Sequence, residues 1–173
     1  LPGDARLLVS RIGDSIRALE ALFTELLDLS KLDAGAVAVA PRNFALQELF
    51  DRLSTEFHGE AVERHLRMRF VPTRLATRAD PVLVERVLAN LVSNALRYTP
   101  DGGVVVGARR RGNAVWLEVI DTGQGIPPEM QQRVFDEFFQ IGNPGRDRRR
   151  GLGLGLAIVK RLVTLMGHEL SLR

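Results

Sequence analysis

The sequence predicts an α+β domain built in layers and preceded by a long amphipathic helix. Helical and strand-like stretches are mixed along the chain without strict alternation, which argues against a doubly wound sheet. A regular helical periodicity runs through residues 11–35. The chain has 173 residues, 45% of them hydrophobic, enough for one packed domain and a helical appendage but not for two full domains.

In "RIGDSIRALEALFTELLDLSKLDAG", Ile12, Ile16, Leu19, Phe23 and Leu26 follow a four-three-four-three spacing, the period of a helix that packs on another helix along a seam. Leu22, Leu27 and Leu29 widen that stripe. Each large apolar side chain left in water forgoes roughly 1.5 to 3 kcal/mol, so a partner helix is expected, either in this chain's own core or in a bundle between chains. Gly35 is placed to end the helix. A second helix is predicted from about Leu46 to His65, with Asn43 as its cap and Leu49, Phe50, Leu53 and Phe57 on one face. "RMRFVP" and "LATRAD" read as short extended stretches. "PVLVERVLANLVSNALRYTP" is a strong amphipathic helix with Pro81 in its first turn and Pro100 just past its end. "GVVVGARR" and "AVWLEVID" are strands joined at Gly112 and Asn113 as a hairpin. "PPEMQQRVFDEFF" reads as a short helix, "IGNPGRDRRRG" as a polar loop, and "GLGLGLAIVKRL" as a glycine-rich lead into a last helix ending near Gly167.

Composition excludes several chemistries. There is no cysteine, so neither a disulfide framework nor a thiolate metal site is available. The three histidines, His58, His65 and His168, are scattered and offer no zinc cluster. No apolar run approaches the roughly 20 residues that span a bilayer, and "LPGDARLL" lacks a signal-peptide pattern. The expectation is a soluble, cytoplasmic piece without membrane contact. Net charge is +3, and the arginines cluster at 109–111 and 146–150, where they could meet nucleic acid, a phosphorylated small molecule or water.

Three stretches set polar or glycine residues at the edge of an apolar element. Asn90 and Asn94 are four apart, so both amides project from one helical face. Asparagine forms helices poorly, and two such residues within an apolar stretch either bond neighbouring loops or hold a hard cation such as magnesium, which takes oxygen ligands and keeps substrate phosphates beside it. "IDTGQGI" sets Asp121 at the end of a strand, with Gly123 and Gly125 in the turn. The carboxylate either closes a simple Asx turn or accepts from the exocyclic amine of adenine, where guanine would present an acceptor to an acceptor. In "GLGLGLAIV", glycines at the mouth of a helix let backbone N–H groups approach phosphate oxygens at the positive end of the helix dipole. A close-packed joint without ligand would use the same residues. The spacing G-x-G-x-G is not the dinucleotide fingerprint G-x-G-x-x-G.

Taken in order, these stretches resemble the ATP-binding catalytic domain of sensor histidine kinases, over roughly Phe44 to the C-terminus. "RVLANLVSNALRYTP" looks like the family's N box, "DTGQGI" like its first glycine box, "VFDEFFQ" like its F box, and "GLGLGLAIVKRL" like its second glycine box. The resemblance implies a two-layer α/β sandwich of the Bergerat type, a mixed sheet covered by helices, with ATP and Mg2+ as cofactors. Asn94 would be the principal magnesium ligand with Asn90 assisting, Arg97 would approach the phosphates, and Tyr98 would lie against the adenine. Asp121 would read the adenine amine, with Gly123 and Gly125 making room for the base and Ile126 following them. Arg150, Gly151, Leu152, Gly153, Leu154, Gly155 and Leu156 would line the phosphates, and "QIGNPGRDRRR" would be the lid.

"SIRALEALFTELLDLSKLDAG" looks like the second helix of the family's dimerisation and phosphotransfer hairpin. The resemblance therefore divides the chain into residues 1–36, part of that hairpin, and 37–173, the catalytic domain cut short at its C-terminus. It implies a homodimer in the whole protein and a response-regulator receiver as partner. The first hairpin helix with its acceptor histidine is not among these residues: Gly59 follows His58, Leu66 follows His65, and His168 lies beyond the last helix. In related clamp ATPases a glutamate stands where Asn90 does, and an amide cannot serve as that base, so slow hydrolysis is expected. The rivals are such a clamp, disfavoured by Asn90; a nucleotide-binding pseudokinase, disfavoured by the intact boxes; and a nucleic-acid binder, disfavoured by the lack of exposed aromatics between the arginines.

Overall fold

The computed structural model describes residues 29–141 and 152–173, together with 12, 13, 16, 19, 20, 23, 24, 26 and 27. The chain divides into two compact units, Leu1–Ala38 and Val39–Arg173. In the first, every described residue from 12 to 33 is helical. Ile12, Ile16, Leu19, Phe23 and Leu26 are exposed along the expected stripe, as is Leu27, while Leu29 is buried. Leu22 lies outside the described residues. The helix ends at Gly35, whose φ is +62°.

Among its described residues the second unit holds five strands and three α-helices. Strand β1 (Arg42–Ala45) leads into helix α1 (Leu46–Glu63), which is followed by β2 (Arg67–Phe70), β3 (Ala76–Ala79) and helix α2 (Pro81–Tyr98). The hairpin β4 (Gly103–Arg111) and β5 (Ala114–Asp121) comes next, and helix α3 (Gly155–Leu165) closes the order. β1 and β3 form a two-stranded antiparallel sheet, and β4 is the centre of a three-stranded mixed sheet, parallel to β2 and antiparallel to β5. At the hairpin turn Gly112 has φ +58° and Asn113 does not share its left-handed backbone, as in a turn of the II′ kind.

Alternation on the three-stranded sheet sends Val104 and Val106 of β4 inward, fully buried, with Met68, Phe70, Ala108, Leu117 and Val119 beside them. They meet the apolar faces of α1 and α2. Leu49, Phe50 and Leu53 of α1 are fully buried and Phe57 nearly so, with the Phe50 and Phe70 rings 5.7 Å apart. Burying each such side chain contributes roughly 1.5 to 3 kcal/mol, so this layer sets the stability of the unit.

Two sequence expectations are corrected. Asn43 does not cap α1, because it lies in β1; the cap residue is Ala45, without a side-chain bond. The first helical N–H, of Leu46, is held instead by the Leu75 carbonyl at 3.0 Å. Nor is "PPEMQQRVFDEFF" an α-helix. It forms two separate 3-10 turns, Pro128–Met130 and Arg133–Phe135, and Phe138 just beyond them has a left-handed φ of +61°, which a continuing helix does not admit.

Candidate functional site

The site is built along one helix, α2. Its N-terminus is fixed by Asp80, whose buried carboxylate accepts from the N–H groups of Val82 (3.0 Å) and Leu83 (3.2 Å) with one oxygen, and from Ala40 N–H (2.8 Å) with the other. Burial works to raise this carboxyl, but the three backbone donors and nearby Arg42 outweigh it and hold Asp80 below the usual carboxylate range. Pro81 in the first turn forfeits no helical bond. With its start pinned, α2 carries Asn90 and Asn94, both half-buried.

Asn90 donates from Nδ2 to the Arg86 carbonyl at 2.9 Å, which commits its nitrogen and leaves Oδ1 at the free end of the amide. That oxygen faces α3: a methyl group on Gly155, the first residue of α3, would stand 3.2 Å from Asn90 Oδ1 and 3.2 Å from Asn94 Nδ2, with Asn94 Oδ1 at 3.5 Å. The absence of a side chain lets the start of α3 lie directly over both amides. Two neutral amide oxygens suit a hard cation whose remaining ligands are water and phosphate oxygens, and the N-terminal N–H groups of α3 beside them suit the phosphates. Among the described residues no three acidic, histidine or cysteine side chains gather as a metal cluster.

At the other end of α2 lies the turn after β5. Asp121 is exposed, and its Oδ1 accepts from Gly123 N–H at 2.8 Å, the Asx turn that the sequence allowed. A methyl on Gly123 would stand 2.6 Å from the Tyr98 carbonyl oxygen, 2.7 Å from Asp121 Oδ1 and 3.2 Å from Thr99 Oγ1. The turn is thus laid against the last residues of α2. Thr122 secures it from behind, its hydroxyl donating to the Asp101 carbonyl and accepting from Gly103 N–H, each at 3.0 Å. Gly125, with φ +68°, is open to solvent on its side-chain face, and Ile126 after it is half-buried, as are Arg97 and Tyr98.

The segment 136–140 abuts the second glycine stretch. Phe138 N–H donates to the Gly153 carbonyl at 3.1 Å, and a methyl on Gly153 would lie 2.6 Å from the Phe139 carbonyl oxygen. Arg161 of α3 pairs with Glu137 at 2.6 Å, and the Arg133 guanidinium lies 4.4 Å over the Phe139 ring. Leu152, Gly153, Gly155 and Leu156 are half-buried, whereas Leu154 is fully buried. Arg150, Gly151 and residues 142–149 of the expected lid lie outside the described residues.

α2 therefore brings together Asn90, Asn94, Gly155, Tyr98, Asp121 and Gly123, from three stretches far apart in sequence. Sequence reasoning missed Thr99. It is 4% exposed, and its hydroxyl is buried without a hydrogen-bond partner among the described residues. Its only signal in the sequence was its place between Tyr98 and Pro100, directly after the helix.

The profile of the family described as "Histidine kinase-, DNA gyrase B-, and HSP90-like ATPase" matches residues 79–173. Over 174 residues the chain is 32% identical to the sensor histidine kinase RcsC of Escherichia coli K12, covering 99% of this chain and 18% of RcsC. It is 36% identical over 177 residues to the sensor protein KdpD of Mycobacterium tuberculosis H37Rv, covering 98% of this chain and 20% of KdpD. Among solved structures, full-length ShkA in complex with AMPPNP is similar at a TM-score of 0.79 and 28% identity, over 96% of this chain and 35% of that one.

Proposed function

The chain belongs to the histidine kinase-, DNA gyrase B- and HSP90-like ATPase family and carries the ATP-binding catalytic domain of sensor histidine kinases, and from that premise we propose that it binds Mg-ATP along α2 and presents the γ-phosphate to a histidine. The observation that carries this reading is the approach of Gly155 to Asn90 and Asn94, which sets a helix N-terminus over two amides. The AMPPNP held by ShkA supports an adenine nucleotide as the ligand.

In this reading the base end and the phosphate end have separate tasks. Asp121 accepts from the exocyclic amine, and Tyr98 lies against the ring. Gly123 and Gly125 leave room for the base, beside Ile126. Arg97, the backbone of residues 150–156 and the start of α3 face the phosphates. Asn94, assisted by Asn90, would hold magnesium, which when bound offsets the charge of the phosphate oxygens. Phosphoryl transfer asks a protein mainly for positioning and charge stabilisation, and these residues supply both without a nucleophile of their own. Asn90 cannot take a proton from water, so the chain hydrolyses ATP only slowly. The acceptor is a histidine of a dimerisation hairpin, of which residues 1–36 are the second helix, in a homodimer. The phosphate then passes to an aspartate of a response-regulator receiver. The exposed stripe from Ile12 to Leu26 supports the helical partner, and no helix among the described residues is long and apolar enough to cross a membrane.

The test is isothermal titration of ATP, AMPPNP and GTP into the chain and into Asp121→Asn, with and without magnesium. Expected are magnesium-assisted binding of ATP and AMPPNP, preference over GTP, and a loss of about tenfold or more in Asp121→Asn, because a charged acceptor hydrogen bond is about twice as strong as a neutral one. Absence of ATP binding by the parent chain overturns the reading.

A further inference from the structure

Thr99 is a buried polar group that the proposed site does not use. As the residue capping the C-terminal end of α2 it has left helical geometry, with φ −99° and ψ 109°, and its own N–H still donates to the Ala95 carbonyl at 3.1 Å. Its backbone is therefore satisfied while its hydroxyl is not. Other threonines of the same unit behave differently. Thr122 both donates to Asp101 and accepts from Gly103, and Thr73 accepts from Leu75 N–H at 3.1 Å. Valine has the shape of threonine without the hydroxyl, so packing alone gives no reason for a polar atom at this position.

The surroundings supply one. Asp121 Oδ1 and Thr99 Oγ1 both lie within 3.2 Å of the point where a methyl on Gly123 would stand, so carboxylate and hydroxyl flank the same glycine. The carboxylate uses one acceptor position on Gly123 N–H, and an ionised carboxylate offers about four. Asp121 is exposed and can rotate; Thr99 is enclosed and cannot leave.

We propose that Thr99 is a positioning residue of the base site: with nucleotide bound, its hydroxyl donates to the Asp121 carboxylate and, with Gly123 N–H, holds it as the acceptor for the purine's exocyclic amine. The inference rests on the reading of Asp121 given above. A carboxylate held by one donor swings about that bond, whereas two donors on different elements fix its plane. The hydroxyl hydrogen goes to a carboxylate oxygen, and the remaining lone pairs of that carboxylate face the ligand. Thr99 would thus act on the choice of base rather than on the phosphates.

The experiment measures the affinities of ATP, GTP and purine riboside triphosphate, which lacks the amine, for the full chain and for Thr99→Val, Thr99→Ser and Asp121→Asn. Thr99→Val is expected to lose about tenfold or more in ATP affinity, the worth of one hydrogen bond to a charged group, with little change for the amine-free analogue. Thr99→Ser restores the hydroxyl and should lie within about twofold of the parent for all three ligands, allowing for one lost methyl. Equal losses for ATP and the amine-free analogue, unchanged ATP affinity in Thr99→Val, or failure of serine to restore discrimination overturns the inference. If the valine variant does not fold by circular dichroism, Thr99→Ala removes the same hydroxyl and is judged by the same criteria. A parent chain that binds ATP and loses it in Asp121→Asn, with Thr99→Val unaffected, sinks the role of Thr99 alone. A parent that binds no ATP sinks both.

Discussion

Asp80 and Asp121 are the same side chain put to opposite uses around one helix. Asp80, at the start of α2, is 6% exposed and spends its two oxygens on three backbone N–H groups. Asp121, beside the other end of α2, is exposed and accepts one such bond. A carboxylate whose acceptor positions are filled from within holds the fold together, and one with positions left over can read a ligand. Here burial and the count of internal donors separate the two in the same direction.

The hardest blow to this contrast falls at Gly123, whose N–H donates to Asp121. In Gly123→Ala the new methyl would meet the Tyr98 carbonyl oxygen at 2.6 Å and Asp121 Oδ1 at 2.7 Å, distances that real side chains do not tolerate, and neither α2 nor the turn can yield cheaply. Expected are destabilisation of about 1 to 3 kcal/mol from overpacking and the loss of most ATP affinity, measured by urea unfolding and by titration. A variant that binds ATP as the parent does would show that the turn is not part of the base site.

Asp80→Ala should separate stability from binding. It strips two N-terminal N–H groups of α2 and Ala40 N–H of their acceptor, at a cost of about 2 kcal/mol. Because α2 remains docked through Val84, Leu88, Val92 and Leu96, all buried, ATP affinity should move by no more than about twofold. Urea unfolding with titration on the same sample checks both. If affinity falls in step with stability, the division between a structural and a reading carboxylate is wrong.

How much of this was legible in the sequence follows the range of the interactions. The paired amides of Asn90 and Asn94, the Asp121 turn and the glycines before α3 were readable because each is a local pattern with a local geometric meaning. So were the apolar face of α1 and the hairpin at Gly112. Asn43 misled because the Leu46 N–H finds its acceptor at Leu75, 29 positions away along the chain and invisible to any window. The aromatic stretch misled because the left-handed Phe138 and its bond to Gly153 override a helical pattern from a distance. Asp80 carried a usable signal, an acid directly before a proline at a helix start. Thr99 carried only its place directly after the helix, since only the folded arrangement shows that its hydroxyl is enclosed and faces Gly123.

The smallest effect is the pH dependence that Asp80 should confer on stability. Asp80 is held below the usual carboxylate range, so the folded state binds its proton less readily than the unfolded chain does. Stability from this group is therefore fully present above the unfolded aspartate value of about 3.9 and is lost as pH falls from there through the lower folded value. In Asp80→Asn the group no longer titrates, and the fall in stability between about pH 4 and pH 2 should be shallower than in the parent. Urea midpoints across that range for the two proteins read the slopes directly. Equal slopes in both would mean that the backbone donors around Asp80 do not favour its charged form, and the contrast drawn from hydrogen-bond counts would fail at its structural end.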